Sequence, residues 1–308
     1  MGGVVRENAK ALLRQAIESP QPLLRANAIE AVAGEGKVGD KALARELLQR
    51  GLADPNRGVR FVSAMNVGLL PMCEETILVE PLLHDEHPSV KAAAIYTLMR
   101  CGRQVDPTPL AAMLTSDDPE VRGNAALVLG ELGNPTALPM LRQVAGKGME
   151  AVNPARVRIV ELQIAEAQFK LGDRSAADPI RAALFAPPQQ SEFAALACQV
   201  CGRVEDQAAV AALERLIDAN GEDERPPEVR LAAISALGRM RPPRPQDVAM
   251  AEGLLQSELP QARAQAAITL ARLDQKRSLP AIQPLLSDDD PGVQVAAAGA
   301  ILRLSGGG

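Results

Sequence analysis

Two histidines, His84 and His87, sit in the run LLHDEHPSV beside Asp85 and Glu86, and imidazoles with carboxylates at that spacing could hold a divalent metal. Cys198 and Cys201 form a CxxC, the spacing of redox dithiols and of half a zinc site. Neither set is complete. A tetrahedral zinc site wants a second ligand pair, and Cys73 and Cys101 lie far away along the chain. No G-x-S-x-G elbow, Gly-rich phosphate loop or carboxylate pair in an acid/base setting occurs. The expectation is a protein without catalytic, metal-binding or cofactor-binding residues. The four thiols are read as unbridged, as suits a reducing compartment.

The segments that carry these residues recur along the chain. The clearest unit runs from Asp117 to Ala145, DDPEVRGNAALVLGELGNPTALPMLRQVA. Its core phrase is a basic residue followed by Ala at +3 and apolar residues at +4, +7 and +10. The phrase can be anchored at Arg25, Arg60, Lys91, Arg122, Glu161, Ser191, Arg230, Arg263 and Gln294, most often about 31 residues apart. That apolar spacing marks one face of a helix, here Ala125, Ala126, Leu129 and Leu132. Asp118 is placed at the N-cap, Pro119 at the first helical position and Glu120 in the first turn, with Asp54-Pro55 and Asp290-Pro291 repeating the device. Gly102, Gly133, Gly172 and Gly202 at +11 mark left-handed C-terminal residues. A second apolar segment precedes each such helix, as at 41–52, 136–145, 208–217 and 279–286. Nine helix pairs account for nearly the whole chain. His87 then becomes an N-cap, His84 ends a first helix, and Cys198, Cys201 and Cys101 become core residues at +7 and +10.

Six of the nine anchors are basic and lie near a helix N-terminus, where the helix dipole mildly disfavours a cation. A partner at the same corner of the next repeat would explain them. The predicted inter-repeat ladder consists of Asp54, Arg60, Lys91, Asp118, Arg122, Arg230 and Arg263, and its pairs fix register more than stability. It breaks at Glu161 and Ser191, so residues 146–245 are the irregular part of a single repeat domain spanning 1–308. Loop insertions at 146–154 and 220–227 belong there, and Glu222-Asp223-Glu224 reads as a solvated turn. Position +9 is exposed and reads Gly34, Leu69, Arg100, Glu131, Lys170, Val200, Arg239, Arg272 and Arg303. Of these, Arg100, Glu131, Lys170, Arg239, Arg272 and Arg303 are the candidate partner-binding residues, a basic stripe suited to an acidic protein segment.

The phrases 118–133 and 230–238 resemble HEAT repeats, particularly the short bacterial type first associated with bilin lyases, over roughly residues 5–305. The resemblance implies an all-α fold, a right-handed α-solenoid with the first helix of each pair on the convex side and the second on the concave side. It also implies a scaffold for protein–protein interaction, with a bilin lyase-like or related modifying activity as the alternative. Deoxyhypusine hydroxylase is similar in its repeats but needs several His-Glu pairs for iron, and this chain has none. DNA glycosylases of HEAT-like build depend on a basic, aromatic groove.

Composition agrees with an interaction solenoid. The 308 residues carry 33 Lys+Arg against 38 Asp+Glu, a net charge of −5, with 0 Trp, 1 Tyr and 4 Phe. That balance speaks against phosphate neutralisation and base stacking, so no nucleic-acid partner is expected. No run of about 18 apolar residues suggests a membrane span. A cytoplasmic location is expected, although the Gly-rich ends fit an excised fragment. The last helix of the series is no more polar than internal ones. It therefore predicts either further structure beyond it or end-to-end self-association.

Overall fold

The computed structural model describes residues 2–33, 40–149, 152–221 and 224–306. Among them the α-helices alternate between outer and inner positions. The first four are α1 (Gly2–Ala16), α2 (Pro22–Ala33), α3 (Lys41–Leu52) and α4 (Arg57–Leu69). Next come α5 (Thr76–Val79), α6 (Pro88–Arg100), α7 (Pro109–Met113), α8 (Pro119–Leu132), α9 (Leu138–Val144) and α10 (Pro154–Lys170). The series ends with α11 (Ala177–Ala183), α12 (Ser191–Arg203), α13 (Val210–Asp218) and α14 (Pro227–Met240), then α15 (Pro245–Leu254), α16 (Pro260–Arg272), α17 (Leu279–Ile282) and α18 (Pro291–Ser305). No strand occurs among the described residues. The fold is an all-α solenoid of helix pairs.

The even-numbered helices begin where their chemistry says they must. Asp118 accepts from Glu120 N at 2.8 Å, Asp290 from Gly292 N at 2.7 Å, and the His87 ring from Ser89 N at 3.3 Å. Pro119, Pro291 and Pro88 follow at the first helical position, where a missing N–H costs nothing. The expected Asp54 cap is displaced. Asn56 caps α4 through Gly58 N and Val59 N, because the Asp54 carboxylate is engaged by Arg25. After α1 and α3 the odd-numbered helices are shorter than the even ones, and several open or close as 3-10 turns.

The even helices lie directly against one another in series, except at α10 and α12, whereas the odd helices barely meet. The even helices therefore form the inside of the curve. Ala and Gly make the approach possible. A Cβ built on Gly130 would stand 2.9 Å from the Ala167 Cα, and one on Gly202 would stand 2.8 Å from the Ala236 Cα. The small side chains that make this chain poor in aromatics thus set its curvature.

That curvature closes the chain on itself. Helix α18 packs on α1 and α2 as most inner helices pack on their successors. A Cβ on Gly299 would meet the Ala31 side chain at 2.8 Å, and Arg6 donates to the Leu302 carbonyl at 3.4 Å and to the Ser305 hydroxyl at 3.0 Å. The expectation that the last helix leaves a wet core face or seeks another copy is corrected here. Its core face is covered by the first repeat of the same chain, so Val295, Ala298 and Leu302 are buried. Nine inner helices at about 9 Å spacing make a ring of roughly 13 Å axis radius. Subtracting a helix and its side chains leaves a lumen about 15 Å across. The concave surface predicted for the solenoid is the wall of that lumen.

Two register details differ from the sequence reading. Gly202 lies inside α12, and the left-handed residue of that repeat is Glu205, at φ 52°. The anchor of α12 is therefore Ala194, not Ser191. On this register Arg203 occupies the stripe position, and Val200, only 1% exposed, is a core residue. In the 161 repeat the helix is extended by an extra N-terminal turn, so Glu161 sits one turn deeper than the other anchors.

The thiols are also corrected. Cys73 and Cys101 are joined by a disulfide, with their Cα atoms 5.4 Å apart. The end of α6 returns to the turn before α5, bringing together residues that are 28 apart in sequence. The inference of a reducing compartment, which rested on four free thiols, loses its basis.

Candidate functional site

The anchor residues build a ladder along one rim. Arg25 grips Asp54 through Nε and Nη2, both at 2.7 Å, while Nη1 donates to the Ser19 carbonyl at 2.8 Å. Arg60 grips Asp85 at 2.8 and 3.0 Å and reaches the Asp54 carbonyl at 2.9 Å. Arg263 grips Asp288 at 2.8 and 2.7 Å and reaches the Ser257 carbonyl at 2.8 Å. Each arginine thus ties its own helix entry to the acid at the next corner, in the planar two-bond geometry that guanidinium favours. Burial works to raise the carboxyls of Asp54 and Asp85. The guanidiniums and the amides of Asn56 and His87 outweigh it and hold both below the ordinary range.

The other predicted rungs are filled differently. Asp118 caps its helix and grips no arginine of the preceding repeat among the described residues. Lys91 faces a corner where Ser116 replaces the acid, and it makes no ion pair among the described residues. Arg230 pairs with Glu224, six residues before it, at 2.6 Å. Arg122, only 4% exposed, donates to the Ser116 and Lys147 carbonyls at 2.9 and 2.7 Å and meets no carboxylate among the described residues. The true ladder acid lies two residues before the N-cap. Asp85 and Asp288, absent from the expected set, carried that signal in D-x-H-P and D-x-D-P.

The +9 stripe falls on the lumen wall, and its sign alternates from Arg100 through Glu131 to Lys170. Lys170 binds Glu131 at 2.6 Å and Glu166 at 2.8 Å, and Arg203 clasps both Glu166 oxygens at 2.7 Å. Glu166 is 2% exposed. Burial works to raise its carboxyl, but Arg203 and Lys170 outweigh that and leave it lowered. Arg100 bonds to the buried Tyr96, whose hydroxyl is pushed up mainly by burial and further by Glu131. Beyond Arg203 the wall turns basic, through exposed Arg239 and half-buried Arg272 and Arg303, with Arg272 donating to Ser235 at 3.4 Å. Glu30 stands opposite them. The surrounding protein raises its carboxyl, and Arg272 opposes the shift. Gly34, Glu222 and Asp223 lie outside the described residues, and so do parts of both loop insertions.

The candidates for chemistry take packing or capping roles. Cys198 and Cys201 are fully buried, and burial pushes both thiols up, that of Cys201 to about 12, so neither is a ready thiolate. His84 ends a 3-10 turn and His87 caps α6. Among the described residues no three His, Cys, Asp or Glu side chains converge as a metal site. Among the described residues no helix is long and apolar enough to cross a membrane. A cavity of about 420 Å³ opens beside Arg122, between the corners of α8 and the loop after α9.

Residues 76–153 and 248–306 match the family model for HEAT repeats. No curated protein matches the sequence. Among solved structures, an engineered protein aligns over 97% of this chain and 89% of its own, at 16% identity and a TM-score of 0.35. Human deoxyhypusine hydroxylase aligns over 92% and 98%, at 17% and 0.36. The CpcE–CpcF complex of the phycocyanin lyase from Nostoc sp. PCC7120 aligns over 81% and 91%, at 17% and 0.32.

Proposed function

With residues 76–153 and 248–306 matching HEAT repeats, we propose that this chain is a non-catalytic binding ring whose inner wall receives an acidic, extended segment of another protein. The observation that carries the reading is the run of Arg239, Arg272 and Arg303 at the C-terminal ends of three successive inner helices, α14, α16 and α18. These cations line a lumen that is wide enough for an extended chain or a single helix, about 10–12 Å across, and too narrow for a folded domain. The low-dielectric wall concentrates the field of the basic arc inward, although the whole chain is acidic.

A fluorescent peptide rich in Glu, about a dozen residues long, tests it by anisotropy. Saturable binding that weakens steeply with salt is expected, since the attraction is between charges. The triple substitution Arg239→Glu, Arg272→Glu and Arg303→Glu should abolish that binding while circular dichroism stays helical. Unchanged affinity in a folded triple variant rejects the reading. Bilin with an apo-biliprotein subunit serves as the control, and no chromophore transfer is expected.

A further inference from the structure

We propose that the cavity beside Arg122 is a binding site for a carboxylate carried on an apolar stem. In three rungs of the ladder an equivalent arginine holds a carboxylate of the next repeat with two hydrogen bonds and gives a third to the carbonyl six residues upstream. Arg122 keeps the upstream bond to Ser116, but no carboxylate meets it among the described residues, and the Lys147 carbonyl takes only one of its hydrogens. Its Nη2 has no hydrogen-bond partner among the described residues. A Cβ on Gly148, in the loop that replaces the regular corner, would lie 3.3 Å from that nitrogen, so glycine there keeps its approach open.

Arg122 is 4% exposed, more deeply buried than a lone cation is normally found. Two carbonyl dipoles compensate a buried guanidinium less well than one carboxylate does. The vacant rung opens onto a cavity of about 420 Å³, the size range of small-ligand sites. Leu114, Met140 and Val144 make its walls apolar, while Thr115 and Lys147 stand at the exposed side. A ligand with one anionic head and an aliphatic body therefore completes the rung and fills the space. The head can belong to a free carboxylic acid or to the C-terminus of a polypeptide. This site lies on the ladder rim, apart from the lumen, and stands or falls independently of the ring's proposed partner.

Calorimetric titration of the full chain with hexanoate, and separately with an N-acetylated tripeptide ending in leucine, tests the site and distinguishes the two sources. One or both should bind saturably and raise the thermal midpoint, while hexanol and hexylamine should not. Arg122→Met should abolish binding, and Arg122→Lys should weaken it by about tenfold because the two-bond geometry is lost. Since a buried arginine variant can fail to fold, Met140→Trp provides a second arm that fills the cavity and leaves Arg122 in place. It should lose binding with the helical spectrum intact. Absence of binding by both probes, equal binding of hexanol, or binding indifferent to Met140→Trp overturns the proposal.

Discussion

Two junctions of the ring are opposites. Where the chain has its ends, α18 meets α1 and α2 with no covalent link, yet Gly299 approaches Ala31 as closely as Gly202 approaches Ala236 between two linked repeats. Where the chain is continuous, α10 and α12 touch at few points. That seam is held by charge and stacking instead: Arg203 on Glu166, Arg158 on Gln190 at 2.6 Å, and Arg158 over the Phe193 ring at 5.6 Å. Connectivity therefore does not decide where a repeat ring is tight. Side-chain size does, because only Gly and Ala let two helices approach fully, and longer side chains must be joined by their polar tips.

The charge-held junction should be the more fragile one. Glu166→Ala leaves Arg203 and Lys170 without their shared acid and should cost about 3 kcal/mol in urea unfolding, the scale for breaking a buried pair. A loss below that of ordinary surface changes, about 0.5 kcal/mol, would mean the seam is held by packing after all. At the other junction, Gly299→Val should cost about 2 kcal/mol through overpacking, and small-angle scattering should show a larger radius as α18 leaves α2. An unchanged radius would show that the closure does not depend on that approach.

Acid should separate the two junctions further. Glu166 titrates below its ordinary range when folded, so its contribution is present above about pH 4.3 and is lost as pH falls through the folded value. Wild type and Glu166→Gln should therefore differ in thermal midpoint at pH 6 and converge as the pH falls through the lowered value of the folded state. The smallest effect is expected at the end of α12, where Glu205 is held left-handed at φ 52°. Glu205→Gly should stabilise by about 1 kcal/mol by removing that strain. A loss of stability would show that the Glu205 side chain contributes more than its backbone costs.

Legibility followed locality. The 41–52 helix, the caps at Asp118, Asp290 and His87, and the left-handed Gly102, Gly133 and Gly172 were readable because each depends on neighbours within one turn. The 191 repeat misled because its expected glycine at +11 is Glu205, and Gly202 three residues earlier imitated it. Placing Ser191 at the anchor put Val200 on the stripe and hid Arg203. The ladder was half legible. The arginines stood out by their unfavourable place near a helix start, but the acid was assigned to the cap when two carboxylates followed one another, as at Asp117-Asp118. Whether a rung is filled depends on the next corner, some twenty-five residues away, so Arg122 looked like its neighbours.

The residue order by itself determined the helix pairs, their period and the face each buries. Those properties arise from hydrogen bonds and apolar spacing within about ten residues. Only the tertiary structure decided that the stack closes, that Cys73 meets Cys101, and that Arg122 meets carbonyls and no carboxylate among the described residues. A ring closes when nine small rotations between neighbours sum to a full turn. No single repeat carries a mark of that sum, and neither an end-to-end contact nor a long-range pairing exists until all nine are in place.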